Sequence, residues 1–216
     1  MTLCVQYGCG LSCPEGWLNF DASPRLRIES HPLLGKVLSL SEKALFPKGV
    51  LYGDIVTGLP VENESVDYAY CSHVLEHLDR QSIVCALDNT YRMLKPSGVF
   101  RLVVPDLTWR VERLLDAQKQ KSSIATDEFM DSCHLGERAP YKGAIGKLRL
   151  LYGNSMHRWM YDFALLSQLL KEAGFENIRR CEFGDAKADI YQAVESESRF
   201  VDASGNAELA IEAIKK

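Results

Sequence analysis

The chain has 216 residues, 46% of them hydrophobic and 25% charged, enough for the core of one domain and short for two. Lys and Arg total 25 against 29 Asp and Glu, a formal net charge of −4, so the basic field that gathers nucleic acid is missing. No low-complexity tract or repeat is visible, and the seven cysteines sit largely inside apolar runs such as Leu3-Cys4-Val5 and Tyr70-Cys71.

Those cysteines read as buried, reduced thiols. Cys4, Cys9 and Cys13 lack the paired Cys-x-x-Cys spacing of a zinc site. Met1 runs straight into Thr2-Leu3-Cys4-Val5, with no basic segment ahead of a long apolar stretch. The expectation is a cytoplasmic chain with neither leader nor membrane association.

Leu3 to Tyr7 reads as a buried strand ending in the turn Gly8-Cys9-Gly10. Trp17 to Asp21 reads as a second strand, Val50 to Tyr52 as a third and Val66 to Cys71 as a fourth. A helix follows, with Asp79 as its cap and Ile83, Val84, Leu87, Tyr91 and Leu94 on its apolar face. Lys95-Pro96-Ser97-Gly98 stops it, and Val99 to Val104 reads as a central strand. Asp106 caps a helix whose apolar face is Leu107, Val111, Leu114 and Leu115. From about 121 to 160 the periodicity fades, which marks a functional loop or short helices. Asp162 caps a last helix carrying Phe163, Leu166, Leu169 and Leu170, closed by Gly174. Ile178 to Phe183 and Glu208 to Ile214 read as final strands that pair antiparallel, since no crossover helix separates them.

Strands separated by helices predict a doubly wound α/β fold: a mainly parallel seven-stranded sheet with an antiparallel last strand, in a single domain over residues 1–216. Ligands of such sheets bind beyond the carboxyl ends of the strands. Gly8-Cys9-Gly10, Asp21, Asp54 and Ser72-His73 all fall at predicted strand ends. Glycines there admit a ligand close to the backbone, and an acid after the second strand suits vicinal ribose hydroxyls. Taken singly, each also reads as an ordinary turn residue.

The joint pattern resembles the class I methyltransferase superfamily. The residues carrying the likeness are Tyr7-Gly8-Cys9-Gly10, Gly53-Asp54-Ile55, Leu59-Pro60 before Ser65-Val66-Asp67, Ser72 to Leu78, and Leu94-Lys95-Pro96-Ser97-Gly98. Leu170 to Phe175 also looks like the family's late helix end. The resemblance implies a Rossmann-like methyltransferase fold and S-adenosyl-L-methionine as cofactor. It places Tyr7, Gly8, Cys9 and Gly10 along the methionine part, Asp21 on the ribose, Asp54 and Ile55 around the adenine, and Ser72 and His73 beside the sulfonium. Family members usually carry a full helix between the glycine loop and the ribose acid. Here only Leu11 to Gly16 intervene. That loss is tolerable for a sulfonium donor, whereas a dinucleotide needs a helix N-terminus at its pyrophosphate.

His73-Val74-Leu75-Glu76-His77 matches the H-x-x-E-H pattern of a zinc protease. A protease site needs a surrounding helix, and this segment follows a strand and precedes a cap. Some quinol and catechol-type methyltransferases hold magnesium with a Glu-x-x-Glu-His run, but His73 replaces the first Glu, and imidazole is a poor ligand for that ion. The expectation is therefore no metal, with Glu76 as a capping and packing residue. His73 is the first candidate for the base that removes an acceptor proton, followed by His77 and His157.

The expected partner is a small-molecule methyl acceptor, with neither nucleic acid nor membrane. The 121–160 segment is the predicted lid. Arg138, Lys142, Lys147, Arg149 and Arg158 form its basic island, interleaved with Tyr141, Tyr152, Trp159 and Tyr161, as for an anionic or sugar-like acceptor; a solvated helical face explains them equally well. The alternative is a non-catalytic protein that binds S-adenosylmethionine as a scaffold. Oligomeric state is not legible in the chain.

Overall fold

The computed structural model describes residues 2–29, 45–136 and 156–216. In chain order the elements are β1 (Cys4–Tyr7), β2 (Trp17–Asp21), α1 (Pro24–Glu29), β3 (Val50–Tyr52) and β4 (Val66–Ser72). A 3-10 turn (Leu75–His77) leads to α2 (Arg80–Met93), β5 (Leu94–Pro105), α3 (Leu107–Lys119) and α4 (Ala125–Ser132). The chain ends with α5 (Phe163–Glu172), β6 (Phe175–Cys181), two 3-10 turns (Asp189–Ala193 and Glu197–Arg199) and β7 (Glu208–Lys215).

The strands form one seven-stranded sheet in the order β3-β2-β1-β4-β5-β7-β6. The pairs from β3 to β5 are parallel. β7 runs antiparallel to both β5 and β6, so one reversed strand sits inside a parallel sheet, as the missing crossover helix requires.

Side chains alternate across the pleat, and the core divides accordingly. Val5, Tyr7, Phe20, Ala69, Cys71, Phe100, Leu102, Val104, Leu209 and Ile211 face one side. There Ile83, Ala86 and Leu87 of α2 and Leu166, Leu169 and Leu170 of α5 cover them. Cys4, Trp17, Tyr70, Val103, Cys181 and Ala210 face the other side, where Tyr191, Val194 and Phe200 lie on them. The segment between β6 and β7 thus occupies the face left bare by the short β1–β2 connection.

Caps fix where the helices begin. Asp79 Oδ1 accepts from the Gln81 and Ser82 N–H groups at 3.1 and 2.8 Å. Asp106 Oδ1 accepts from Thr108 N–H at 2.9 Å, and Asp162 Oδ1 from Leu165 N–H at 2.8 Å. Each such cap contributes about 1 kcal/mol to its helix.

Two predicted boundaries move. β6 begins at Phe175, directly after Gly174, rather than at Ile178. Gly174 turns in the left-handed region (φ 102°) with its open side against Tyr91, so helix and strand join through the two-residue turn Ala173-Gly174. β5 reaches back to Leu94, which pairs with Val66 before the register jumps to Tyr68↔Val99; the predicted Lys95–Gly98 stop is a bulge in this ladder. The segment at 24–29, left unassigned by the sequence, is helical. Ser23 Oγ accepts from Arg25 N–H at 3.2 Å, and Pro24 fills the first helical position, which needs no N–H.

Candidate active site

The strand registers set the site. Tyr7 pairs with Phe20 and with Cys71, and Asp21 pairs with Tyr52. Gly8, Asp21 and Ser72 therefore end three neighbouring strands at the same level, spaced by the ~4.8 Å between strands. Gly53 N–H donates to Asp21 O at 3.2 Å, which brings Asp54 to the same edge.

Asp21 is buried and knits this edge together. Its Oδ2 accepts from Gly10 N–H at 2.9 Å and its Oδ1 from Ser23 N–H at 2.7 Å, so one lone pair on each oxygen remains. Gly10 turns at φ 55° and no atom crowds the position of a Cβ there, which leaves its backbone open to a ligand. Gly8 differs: a Cβ there would lie 2.1 Å from Val74 Cγ2, so side-chain packing accounts for that glycine. Ser72 is buried and its Oγ has no hydrogen-bond partner among the described residues.

Three of the expected cofactor contacts have inward side chains. Tyr7 stacks on Phe100 and its hydroxyl lies 3.0 Å from Thr90 Oγ1. Ile55 packs into the helical-face core, with its carbonyl held by Asn89 Nδ2 at 2.7 Å. Cys9 is buried beside Leu26 and Val50, where burial, reinforced by Asp21, pushes its thiol up to about 12. Their backbones alone reach the edge. Asp54 is half-buried, and its Oδ1 accepts from Val56 N–H at 2.9 Å.

Beyond Ser72 the chain turns sharply at His73, which sits at φ 55°. The Leu75–His77 turn then places Glu76 at 0% exposure, with both carboxylate oxygens accepting no hydrogen bond from any described residue. His73 Nδ1 is 3.3 Å from Glu76 Oε1 and His77 Nε2 is 3.8 Å from it. The far sides of both imidazoles meet carbonyls: His73 Nε2 is 3.1 Å from Arg199 O and His77 Nδ1 is 3.3 Å from Met156 O. Arg158 N–H and Trp159 N–H donate to Glu76 O at 2.7 and 3.2 Å, which fastens His157 to the same spot. The His157 ring meets His77 and His134 edge-on, with centroids 5.2 and 4.8 Å apart.

This environment divides the histidines. Burial lowers His73, but Glu76, the Arg199 carbonyl and Glu208 outweigh it and hold it above its ordinary value. Burial brings His157 down to about 4 against the pull of Glu76, with His77, His134 and Arg110 adding to the drop. A cavity of about 310 Å³ opens between α3, α4 and the 202–206 loop, lined in part by Arg110, Phe129, His134, Asp202 and Asn206. It touches the histidine cluster through His134, and no residue of the four strand tips lines it.

The family model described as a methyltransferase domain matches residues 17–180. This chain belongs to the methyltransferase-domain family. Its fold is that of the class I S-adenosylmethionine-dependent enzymes. A SAM-dependent methyltransferase from Archaeoglobus fulgidus is similar at 17% identity, covering 99% of this chain and 86% of that one, with a TM-score of 0.50. Another from Methanosarcina mazei is similar at 16% identity, covering 98% and 91%, with a TM-score of 0.51. No curated protein matches.

In this methyltransferase the three expected catalytic histidines, His73, His77 and His157, do come together. Glu76 is not the capping residue the sequence suggests, because Asp79 caps α2. His134 gave no signal in the sequence; its ring meets His157 only because α4 folds back over α3. Of the predicted lid residues, Arg138, Tyr141, Lys142, Lys147, Arg149 and Tyr152 lie outside the described residues. Arg158 is exposed, 3.8 Å from Asp79, and Trp159 is exposed. Tyr161 is core, fully buried with its hydroxyl 3.4 Å from Leu75 O, so it is withdrawn from an acceptor surface. Among the described residues no helix is long and apolar enough to cross a membrane.

Proposed function

We propose that this methyltransferase passes the methyl group of S-adenosylmethionine to an oxygen or nitrogen of a small polar acceptor, with His73 between the two. The observation that carries the reading is the alignment of Gly8, Asp21 and Ser72 on adjacent strands, with His73 following directly. The donor supplies a methyl group on a sulfonium, already activated for displacement, so holding donor and acceptor in line is the protein's main task.

The residues suit the donor. Gly10 has an open backbone, Asp21 keeps acceptor capacity for ribose hydroxyls, and Ser72 offers a buried oxygen in need of a partner. The Tyr7–Gly10 backbone borders the methionine end, and Asp54 with the Ile55 backbone borders the adenine. His73, at 22% side-chain exposure and paired through Nδ1 with Glu76, orients the acceptor and takes its proton on Nε2, which leaves the Arg199 carbonyl to do so.

The test is a methyl-transfer screen against glycans, phenols, quinols and small acids, followed by His73→Ala. The expected result is turnover about a hundredfold slower, with affinity for S-adenosylhomocysteine within twofold of the parent. Equal turnover in the variant removes His73 from the mechanism. Donor binding without transfer to any acceptor favours the scaffold reading.

A further inference from the structure

Three of the five histidines in the chain, His73, His77 and His157, converge on one buried carboxylate, and His134 touches the group through the His157 ring. Glu76 is fully buried and neither of its oxygens accepts a hydrogen bond from a described residue. A carboxylate buried in that way is costly unless a positive charge sits against it. Ring orientation sharpens the point. A carbonyl oxygen can only accept, so Met156 O fixes Nδ1–H as the donor in a neutral His77 and leaves a lone pair on Nε2, 3.8 Å from Glu76 Oε1. His73 differs: its Nδ1 faces the same oxygen at 3.3 Å as an ion-pair partner, which sets it apart from the ligands. His157 Nδ1 is buried and has no partner among the described residues. The Nε2 lone pair of a neutral His77, the unpartnered His157 and the Glu76 carboxylate thus gather in one place.

We propose that Glu76, His77 and His157 bind one divalent first-row transition ion. One donor atom from each lies within 4.8 Å of the others. Metal–ligand bonds of ~2.0–2.2 Å draw these side chains inward as the ion enters. Two imidazoles and one carboxylate suit zinc, cobalt or nickel and not the oxygen-seeking magnesium or calcium. The His77–Met156 contact is the outer hydrogen bond that orients a metal-binding histidine. Three protein ligands leave a fourth position for water or an acceptor oxygen. In this arrangement His77 and His157 hold the ion and His73 alone remains to take a proton.

The site requires no methyl transfer, so its test is independent of the proposed function. The full chain, stripped with a chelator, is titrated with Co²⁺ and followed by visible absorption, and with Zn²⁺ by calorimetry. One ion per chain is expected, bound at least tenfold more weakly in Glu76→Gln and in His157→Ala. His77→Asn, at a partly exposed position, supplies a third variant should either of those fail to fold. His134→Ala, which removes a neighbouring ring outside the ligand set, leaves the affinity unchanged. Failure of the parent to bind either ion at one per chain overturns the proposal, as does undiminished binding in the folded ligand variants.

Discussion

The two faces of the sheet are sealed by different physics. On one, α2 and α5 lay apolar stripes over Phe20, Phe100, Leu102 and Ile211, and area removed from water does most of the work. On the other, an irregular stretch from 182 to 207 replaces a helix and is pinned by charge. Arg101, at 0% exposure, is paired with Glu195, lies 3.1 Å from Asp185 and 3.7 Å from Glu212, and donates to Glu182 O at 2.8 Å. Arg179 adds contacts to Glu212 and Asp185 at 3.1 and 2.9 Å. Tyr191 lies at the centre, its hydroxyl donating to Val99 O at 2.9 Å and its ring against Trp17, Tyr68 and Tyr70. A segment without a helical stripe needs directional interactions to hold one position, because its apolar contacts alone do not select a single arrangement.

That contrast gives a graded set of expectations. Arg101→Met leaves Glu195 buried beside no cation and is expected to cost about 4 kcal/mol in urea unfolding. Adding Glu195→Leu restores part of the loss, since the stranded charge goes too; a strictly additive double variant contradicts the ion-network account. On the helical face Leu170→Ala, at a fully buried site, costs about 3 kcal/mol through lost burial and a cavity, with no second-site partner able to restore it. Tyr191→Phe removes one hydroxyl hydrogen bond and costs about 1 kcal/mol. An unchanged midpoint means that the ring alone holds the segment.

The smallest effect lies away from both faces. Asp67 accepts from Lys95 Nζ and Leu3 N–H, each at 2.8 Å, and these contacts hold its carboxyl below the ordinary 3.8. A depressed folded-state value stabilises above pH 3.8 and is lost as the pH falls through the lower, folded value. Asp67→Asn should therefore cost about 0.5 kcal/mol at neutral pH and nothing in strong acid. Equal losses at both pH values contradict the assignment.

The helical face was legible in the sequence because its signals are periodic. The spacing of Ile83, Leu87 and Leu94, and of Leu166, Leu169 and Leu170, announces both helices, and the capping aspartates mark their starts. The carboxyl edge was legible because Gly8-Cys9-Gly10, Asp21, Asp54 and Ser72 each close a short apolar run. The charged face was not, because Arg101 sits in a run that otherwise reads as wholly apolar. Its partners, from 182 to 212, become neighbours only when β7 inserts beside β5. The same holds for Glu76. Its sequence neighbours suggest a cap, and only the return of His157, 81 residues downstream, gathers the cluster around it. The polar residues on that face, Gln6 and Asn19, both buried, were the available hint that an ordinary helix would not cover it.

The most direct test of the donor site is calorimetric titration of the full chain with S-adenosylhomocysteine, run beside NADH. The account predicts one molecule of S-adenosylhomocysteine bound per chain, at least tenfold weaker binding in Asp21→Ala, and no heat from NADH. No binding of S-adenosylhomocysteine to the folded parent chain contradicts it.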